Sequence, residues 1–208
     1  MSHISLNELD LSKLRIGKSG KSINLFYDKE PLQLVTGKLY SPFGVRSNPN
    51  NYSSWNTCNI DCSLNQSNSE TSMAYRLSLE ALDVRVTELL TESGHLFDKA
   101  PQEIFDDIQS NYSPILRENK TYPKLIKIAL PRDSKGNFEF VIFNENKEKV
   151  QVDDSNILQV LGKGIIFKSI IECKKIWYYN GRFGTTWNLK QMRFTHDDLA
   201  NQNNKSSK

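Results

Sequence analysis

The stretch from Ile165 to Phe194, IIFKSIIECKKIWYYNGRFGTTWNLKQMRF, decides how the chain is read. At a period of two, Ile165, Phe167, Ser169, Ile171 and Cys173 share one face, and Ile166, Lys168, Ile170, Glu172 and Lys174 share the other. That is the alternation of a strand with one buried side. Lys174 and Lys175 form a short polar break, and Ile176-Trp177-Tyr178-Tyr179 follows. Asn180-Gly181 is then the pair that accepts the positive backbone angles of a two-residue hairpin. From Thr185 the alternation resumes, with Trp187 and Leu189 on one side and Asn188, Lys190 and Met192 on the other. The expectation is a β-meander with a core face and a basic, partly aromatic face.

A ring in a strand, Trp187 for instance, is more often core or cross-strand packing than a contact, and exposed lysines are commonly only solvated. What points further is their coincidence: a basic groove tracks phosphates while exposed rings stack on unpaired bases of any identity. Lys168, Lys174, Lys175, Arg182, Lys190 and Arg193 are the candidate phosphate contacts, and Tyr178, Tyr179 and Phe183 the candidate stacking rings. Trp177 and Trp187 read equally as contacts or as core.

The run Gly162-Lys163-Gly164, then Ile-Ile-Glu-Cys, Ile-Trp-Tyr and Asn-Gly-Arg-Phe-Gly-Thr-Thr-Trp-Asn-Leu-Lys-Gln-Met, resembles the C-terminal signature of the OB-fold single-stranded-DNA-binding proteins of nucleocytoplasmic large DNA viruses. Tyr40-Ser-Pro-Phe-Gly-Val and Tyr122-Pro-Lys-Leu-Ile-Lys-Ile are also similar to that family. The similarity spans roughly Leu34 to Met192 and is strongest from Asn180 to Gln191. It implies sequence-tolerant binding of single-stranded DNA in viral DNA replication, recombination or repair, without catalysis. It implies a place inside the infected host cell, in cytoplasm or nucleus at sites of viral replication, with viral replication proteins as further partners.

Working outward, the charge is segregated. Residues 120–194 hold 14 Lys/Arg against 7 Asp/Glu, whereas residues 66–119 hold 4 against 10, on a chain of 208 residues with a net charge of only +3. A basic face and an acidic back would steer nucleic acid to one side. The length suits one domain with tails.

Upstream, residues 1–22 are polar with loosely spaced leucines and read as a flexible N-terminal arm. Its GKSGKS matches a phosphate loop in composition only, since the second glycine is misplaced and no apolar strand leads in. Ile23–Tyr27 and Leu32–Tyr40 read as strands, with Gly37 allowing a bend. Ser41–Ser54 is a Pro-, Gly- and Asn-rich loop. In and beside it Phe43, Arg46, Tyr52 and Trp55 complete the set of candidate contacts, although Phe43 and Trp55 serve equally to pin the loop to the barrel.

Asn56–Leu64 reads as a further strand. Leu79, Leu82, Val86, Leu89 and Leu90 then recur at three and four, so Met73–Ser93 reads as an amphipathic helix, and Pro101–Asn111 as a second, with proline in its first turn. Downstream come strands at Leu125–Leu130, Phe138–Phe143 and Lys149–Val152, and a single helical turn within Asp153–Leu161.

The fold expected is mainly β with a helical insertion at about 73–111, an α+β chain built as an OB-like antiparallel barrel with extra hairpins over residues 23–194. Residues 195–208 read as a disordered tail.

Cys58, Cys62 and Cys173 form no CxxC pair, and His3, His95 and His196 show no ligand spacing, so reduced thiols, no metal and no cofactor are expected. No signal peptide or long apolar run appears, and a soluble intracellular protein without membrane contact is expected.

The partner these residues point to is single-stranded DNA, with RNA and a homo-oligomer left open. The alternative is a viral structural or scaffold protein that uses the same face as a protein–protein interface.

Overall fold

A computed structural model of the chain describes residues 3–19, 22–49, 56–64, 70–97, 100–118 and 123–196. After β1 (Ile4–Ser5) and two short 3-10 turns, β2 (Leu14–Ser19) and β3 (Ser22–Tyr27) form an antiparallel hairpin. Leu6 and Leu14 are buried in the core, so residues 4–19 are built into the fold and are not the flexible arm that their composition suggests. Their burial depends on partners distant in sequence, which local polarity does not reveal.

β4 (Glu30–Pro31) pairs with β3, and β5 (Gln33–Val35) and β6 (Leu39–Ser41) follow. The strand expected over Leu32–Tyr40 is divided at Gly37, where a Cβ would lie 2.2 Å from Cε2 of Tyr75. The loop expected over 41–54 contains a strand, β7 (Val45–Asn48), which pairs with β8 (Thr57–Leu64) and sets Val45 opposite Ile60.

Helix α1 (Glu70–Glu92) buries the leucines and valine of the three-and-four pattern. α2 (Pro101–Asn111) begins with the Ala100 N–H donating to Glu103 Oε2 at 3.1 Å, and buries Ile104 and Ile108. β9 (Tyr112–Ser113), β10 (Leu116–Arg117), β11 (Leu125–Leu130), β12 (Val141–Phe143) and β13 (Lys149–Val150) lead through the single turn α3 (Ile157–Val160) to two 15-residue strands, β14 (Ile165–Tyr179) and β15 (Arg182–His196).

Five strands close into a ring: β14 pairs with β6, β6 with β8, β8 with β11, β11 with β15, and β15 with β14. This is the OB-like barrel, carrying a helical insertion between β8 and β11, within a mainly β chain. The expectation of an antiparallel barrel needs one correction, because the β11–β15 seam is parallel. A closed ring of five strands cannot alternate direction all the way round, so at least one neighbouring pair must run the same way.

The predicted core face of β14 is present, with Ile165, Phe167, Ser169, Ile171 and Cys173 all buried. Asn180 and Gly181, at φ 50° and 73°, make the expected tight turn. The register then shifts twice. Ile170 faces Gln191 but Ile171 faces Leu189, which leaves Lys190 as an extra residue on β15; Cys173 faces Trp187 but Lys175 faces Thr186, which leaves Lys174 extra on β14. Each is a β-bulge. The polar break expected at Lys174 and Lys175 is therefore a bulge in a continuous strand. Met192, expected on the outer side, is buried with Trp187 and Leu189, because the Lys190 bulge re-phases the alternation.

Two sites hold the frame, one around Gly44 and one at Asp83. The Val45 N–H donates to the Leu161 carbonyl at 2.9 Å, and the Gly164 N–H to the Ser41 carbonyl at 2.9 Å. Between them Gly44, at φ +67°, is pressed so near the chain that a Cβ would lie 2.4 Å from the carbonyl carbon of Gly162. The second site is buried. Asp83 of α1 accepts from the Tyr112 hydroxyl at 2.6 Å and from the Ile115 N–H at 2.9 and 3.1 Å, and so ties the helical insertion to the segment that runs into β9 and β10. Burial pushes the Asp83 carboxyl up to about 6, against hydrogen bonds from Tyr112 and Ile115 that favour its charged form.

Gly44→Ala combines an unfavourable left-handed φ with a clash against backbone and should cost roughly 2–4 kcal/mol, seen as a melting temperature lower by roughly 5–10 °C. Asp83 binds a proton more tightly folded than unfolded, so its contribution to stability falls as pH rises from its ordinary value of 3.8 through about 6. Asp83→Asn removes that slope. Between pH 3.5 and pH 7 the unfolding free energy of the variant should gain about 3 kcal/mol relative to the wild type, read from paired denaturant titrations.

Candidate nucleic-acid interface

The outward face of the β14–β15 hairpin carries six Lys/Arg and a single acid, Glu172. Lys168 and Arg193 stand directly opposite one another across the two strands, both exposed. β12 pairs beside them and sets Phe143 next to Arg193, while the turn after it, with Lys147 at φ 65°, delivers a third cation. Lys168, Arg193, Lys147, Phe143, Gln191 and His3 line a cavity of about 410 Å³ with Val35, Ser169, Ile170 and Met192. Among the described residues Lys168, Arg193 and Lys147 have no ion-pair partner. Like charges directly opposite on neighbouring strands are destabilising, and a bound anion would relieve that repulsion.

The two bulges extend the basic surface along the hairpin. Each leaves two consecutive side chains exposed, Lys174 with Lys175 on β14 and Lys190 with Gln191 on β15. Lys190 Nζ lies 3.9 Å from Glu172 Oε2, an oxygen that also accepts from Gln33 Nε2 at 2.8 Å, so part of its charge is already answered. Arg182, exposed at the tip, faces Tyr179 across the turn.

The rings divide differently from the sequence reading. Tyr179 is 72% exposed and is the ring most open to a base. Tyr178 is half-covered, stacked on Phe183 with centroids 4.6 Å apart. Phe183 itself is fully buried, which corrects its assignment as a stacking ring. The reason is tertiary: β9 pairs with β15 at Phe183 and α2 packs against the same strand, so the hairpin tip is not free on that side.

Trp187 is buried and donates its Nε1–H to Thr185 Oγ1 at 2.9 Å, the behaviour of a core ring. Trp177 is half-buried and lies across Gly184, where a Cβ would come within 2.4 Å of Cζ2. The Arg46 guanidinium sits 4.6 Å from the Phe43 centroid and 3.6 Å from Asp61, whose carboxylate also holds Arg117. Phe43 and Arg46 thus already engage each other. Tyr52 and Trp55 lie outside the described residues.

The structure adds Lys147 and Phe143 to the face. The sequence shows the strand and turn that carry them, but only the parallel pairing of β12 with β15 brings them beside Arg193.

Burial pushes the Cys173 thiol up to about 12 and the Cys62 thiol well above its usual range, so neither presents a thiolate near neutral pH. Among the described residues no group of three or more His, Cys, Asp or Glu is placed to hold a metal ion, and no helix is long and apolar enough to cross a membrane.

No family model matches the chain. A protein of Acanthamoeba polyphaga mimivirus, described as uncharacterized protein L291, is 23% identical over 174 residues, which are 79% of this chain and 26% of that protein. The chain thus spans about a quarter of the relative's length. Among solved structures, the single-stranded DNA-binding protein from bacteriophage Enc34 in complex with single-stranded DNA aligns with a TM-score of 0.48 and 14% identity, over 89% of this chain and 97% of that one. A C-terminal truncation of the same phage protein aligns with a TM-score of 0.47 and 15% identity, over 89% and 96%.

Proposed function

We propose that this chain is a non-enzymatic, sequence-tolerant single-stranded-DNA-binding protein of viral DNA replication, recombination or repair, and that it holds the unpaired strand along the outward face of β14 and β15. The observation that carries the reading is the facing pair Lys168 and Arg193, exposed and without an ion-pair partner among the described residues, at the edge of a groove that Lys147 and Phe143 also line. The bulge lysines Lys174, Lys175 and Lys190 continue the charge toward Arg182. From Lys168 to Tyr179 the strand rises about 36 Å at ~3.3 Å per residue, long enough to follow several nucleotides.

In this reading each cation that meets a phosphate releases condensed counterions, which gives affinity without reading sequence. Tyr179, and the open side of Tyr178, supply π-faces on which any base can stack, each worth about 1–3 kcal/mol if engaged. The place of action, at sites of viral replication in the host cell, and the replication proteins that share the strand belong to the same proposal. They rest on the resemblance of the Asn180–Gln191 segment.

The test is fluorescence anisotropy with labelled oligo-dT, its duplex and an RNA of the same length, for wild type and for Lys168→Glu with Arg193→Glu. Binding to the single strand should exceed binding to the duplex and weaken with salt. The double reversal should lower affinity by roughly ten- to a hundredfold and reduce the slope of log affinity against log salt by about 0.7 for every phosphate the protein no longer neutralises. Its melting temperature should stay within roughly 2 °C, because both side chains are exposed and the double reversal exchanges one like-charge pair for another. Unchanged affinity in the double variant would sink the assignment of this face. Self-association with little salt dependence would favour the protein-interface use of it.

A further inference from the structure

A second groove, of about 450 Å³, opens farther along the hairpin, where Trp177 and Thr186 meet Asn59 of β8, Lys127 and Ala129 of β11 and Ser113 of β9. Its size falls within the roughly 300–1,000 Å³ of sites for small organic ligands. Three features mark it as more than a fold seam.

The first is Trp177. It is only half-buried, one side of its indole lies against Gly184, where there is no side chain, and its remaining surface lines the groove. The second is Asn59, 7% exposed, whose side-chain amide makes no hydrogen bond to any described residue although it lines the same space. Its amide atoms open onto the groove, where the carbonyl and NH₂ groups can accept and donate together. The third is Lys127, exposed at the rim and in register with Asp61, whose carboxylate is occupied by Arg46 and Arg117.

By the alternation along β14 and β15, Trp177 and Thr186 face outward as Lys168 and Arg193 do, and Lys175 lies between the two grooves opposite Thr186. A stacking surface, an amide open to the groove and a cation within one small groove are the complement of a single nucleotide: base on Trp177, base edge at Asn59, phosphate at Lys127.

We infer that this groove is a base-binding subsite that receives one unstacked nucleotide of the strand held on the hairpin. The inference rests on the function proposed above and adds a place where the protein grips a base as well as a phosphate. Because the Asn59 amide both donates and accepts, it can meet any base edge, and it suits the N6 and N7 of adenine best. The subsite therefore tolerates sequence while giving a mild preference.

Intrinsic fluorescence separates this subsite from the Lys168 groove, which contains no tryptophan. The chain has three tryptophans, Trp55, Trp177 and Trp187. Oligo-dT of about fifteen nucleotides should quench the wild type, and Trp177→Phe should remove most of the quench, while Trp55→Phe, and Trp187→Phe at the buried ring that borders the same groove, leave that fraction in place. In anisotropy, Trp177→Ala and Asn59→Ala should each weaken binding by about five- to a hundredfold, the range of one engaged base, and Trp177→Phe should restore most of it. Asn59→Ala should also narrow the difference between oligo-dA and oligo-dT.

If Trp177→Ala and Asn59→Ala bind as wild type does while the Lys168→Glu with Arg193→Glu variant fails, the subsite is wrong and the binding face stands. If the wild type binds no oligonucleotide even at low salt, both fall together. Asn59→Ala, which deletes an unbonded amide, keeps the test usable should Trp177→Ala not fold.

Discussion

The register between β14 and β15 is the constraint on which the rest depends. It joins 15 residues on each side through a two-residue turn, yet it is not uniform, since Lys174 and Lys190 are each inserted without a partner. In a strand whose side chains alternate strictly, one inserted residue exchanges inside for outside. Here each insertion lets the apolar set continue to point inward over a long arm: Ile165 to Cys173 and then Ile176 on one strand, Trp187 and Leu189 and then Met192 and Phe194 on the other. The same two insertions leave pairs of polar side chains outside. Core and basic face are products of one irregularity.

The hairpin could not serve both sides if its tip were loose. Asp83, buried among hydrogen bonds from Tyr112 and Ile115, fixes the segment that carries β9, and β9 pairs with β15 at Phe183 and Gly184. The helical insertion thus reaches the hairpin through a carboxylate whose burial is unfavourable for its charged form. Neutralising a buried acid costs less than exposing the leucines of α1, which is why the arrangement persists.

Much of this was legible in the sequence, for reasons particular to each element. The two-residue period of Ile165–Cys173, the Asn180-Gly181 pair and the three-and-four spacing of α1 are local signals, and each produced the element it announces. What was not legible depends on neighbours. Phe183 has the period of a strand residue and the company of Tyr178, and nothing local says that β9 and α2 cover it. Met192 fails for a different reason: a bulge is a property of two strands together, and no single strand shows it. Leu6 and Leu14 lie in a polar stretch whose core partners come from elsewhere in the chain. Lys147, Phe143 and Asn59 join the surface only because β12 and β8 are brought there by the ring of strands.

That ring has a bearing on how the molecule is made. Its closing pair joins Leu39–Ser41 of β6 to Ile165–Phe167 of β14, and its parallel seam joins Ile128 and Ala129 to Trp187 and Asn188. Contacts between segments so remote carry a large loop-closure entropy and form late, whereas the β14–β15 hairpin is local and can form as soon as its turn is available. During synthesis the barrel therefore stays open until residue 189 or so has emerged, and its early strands β6 and β8 wait with unpaired edges. The hairpin that carries the basic face is therefore made before the ring that covers its inner side is closed.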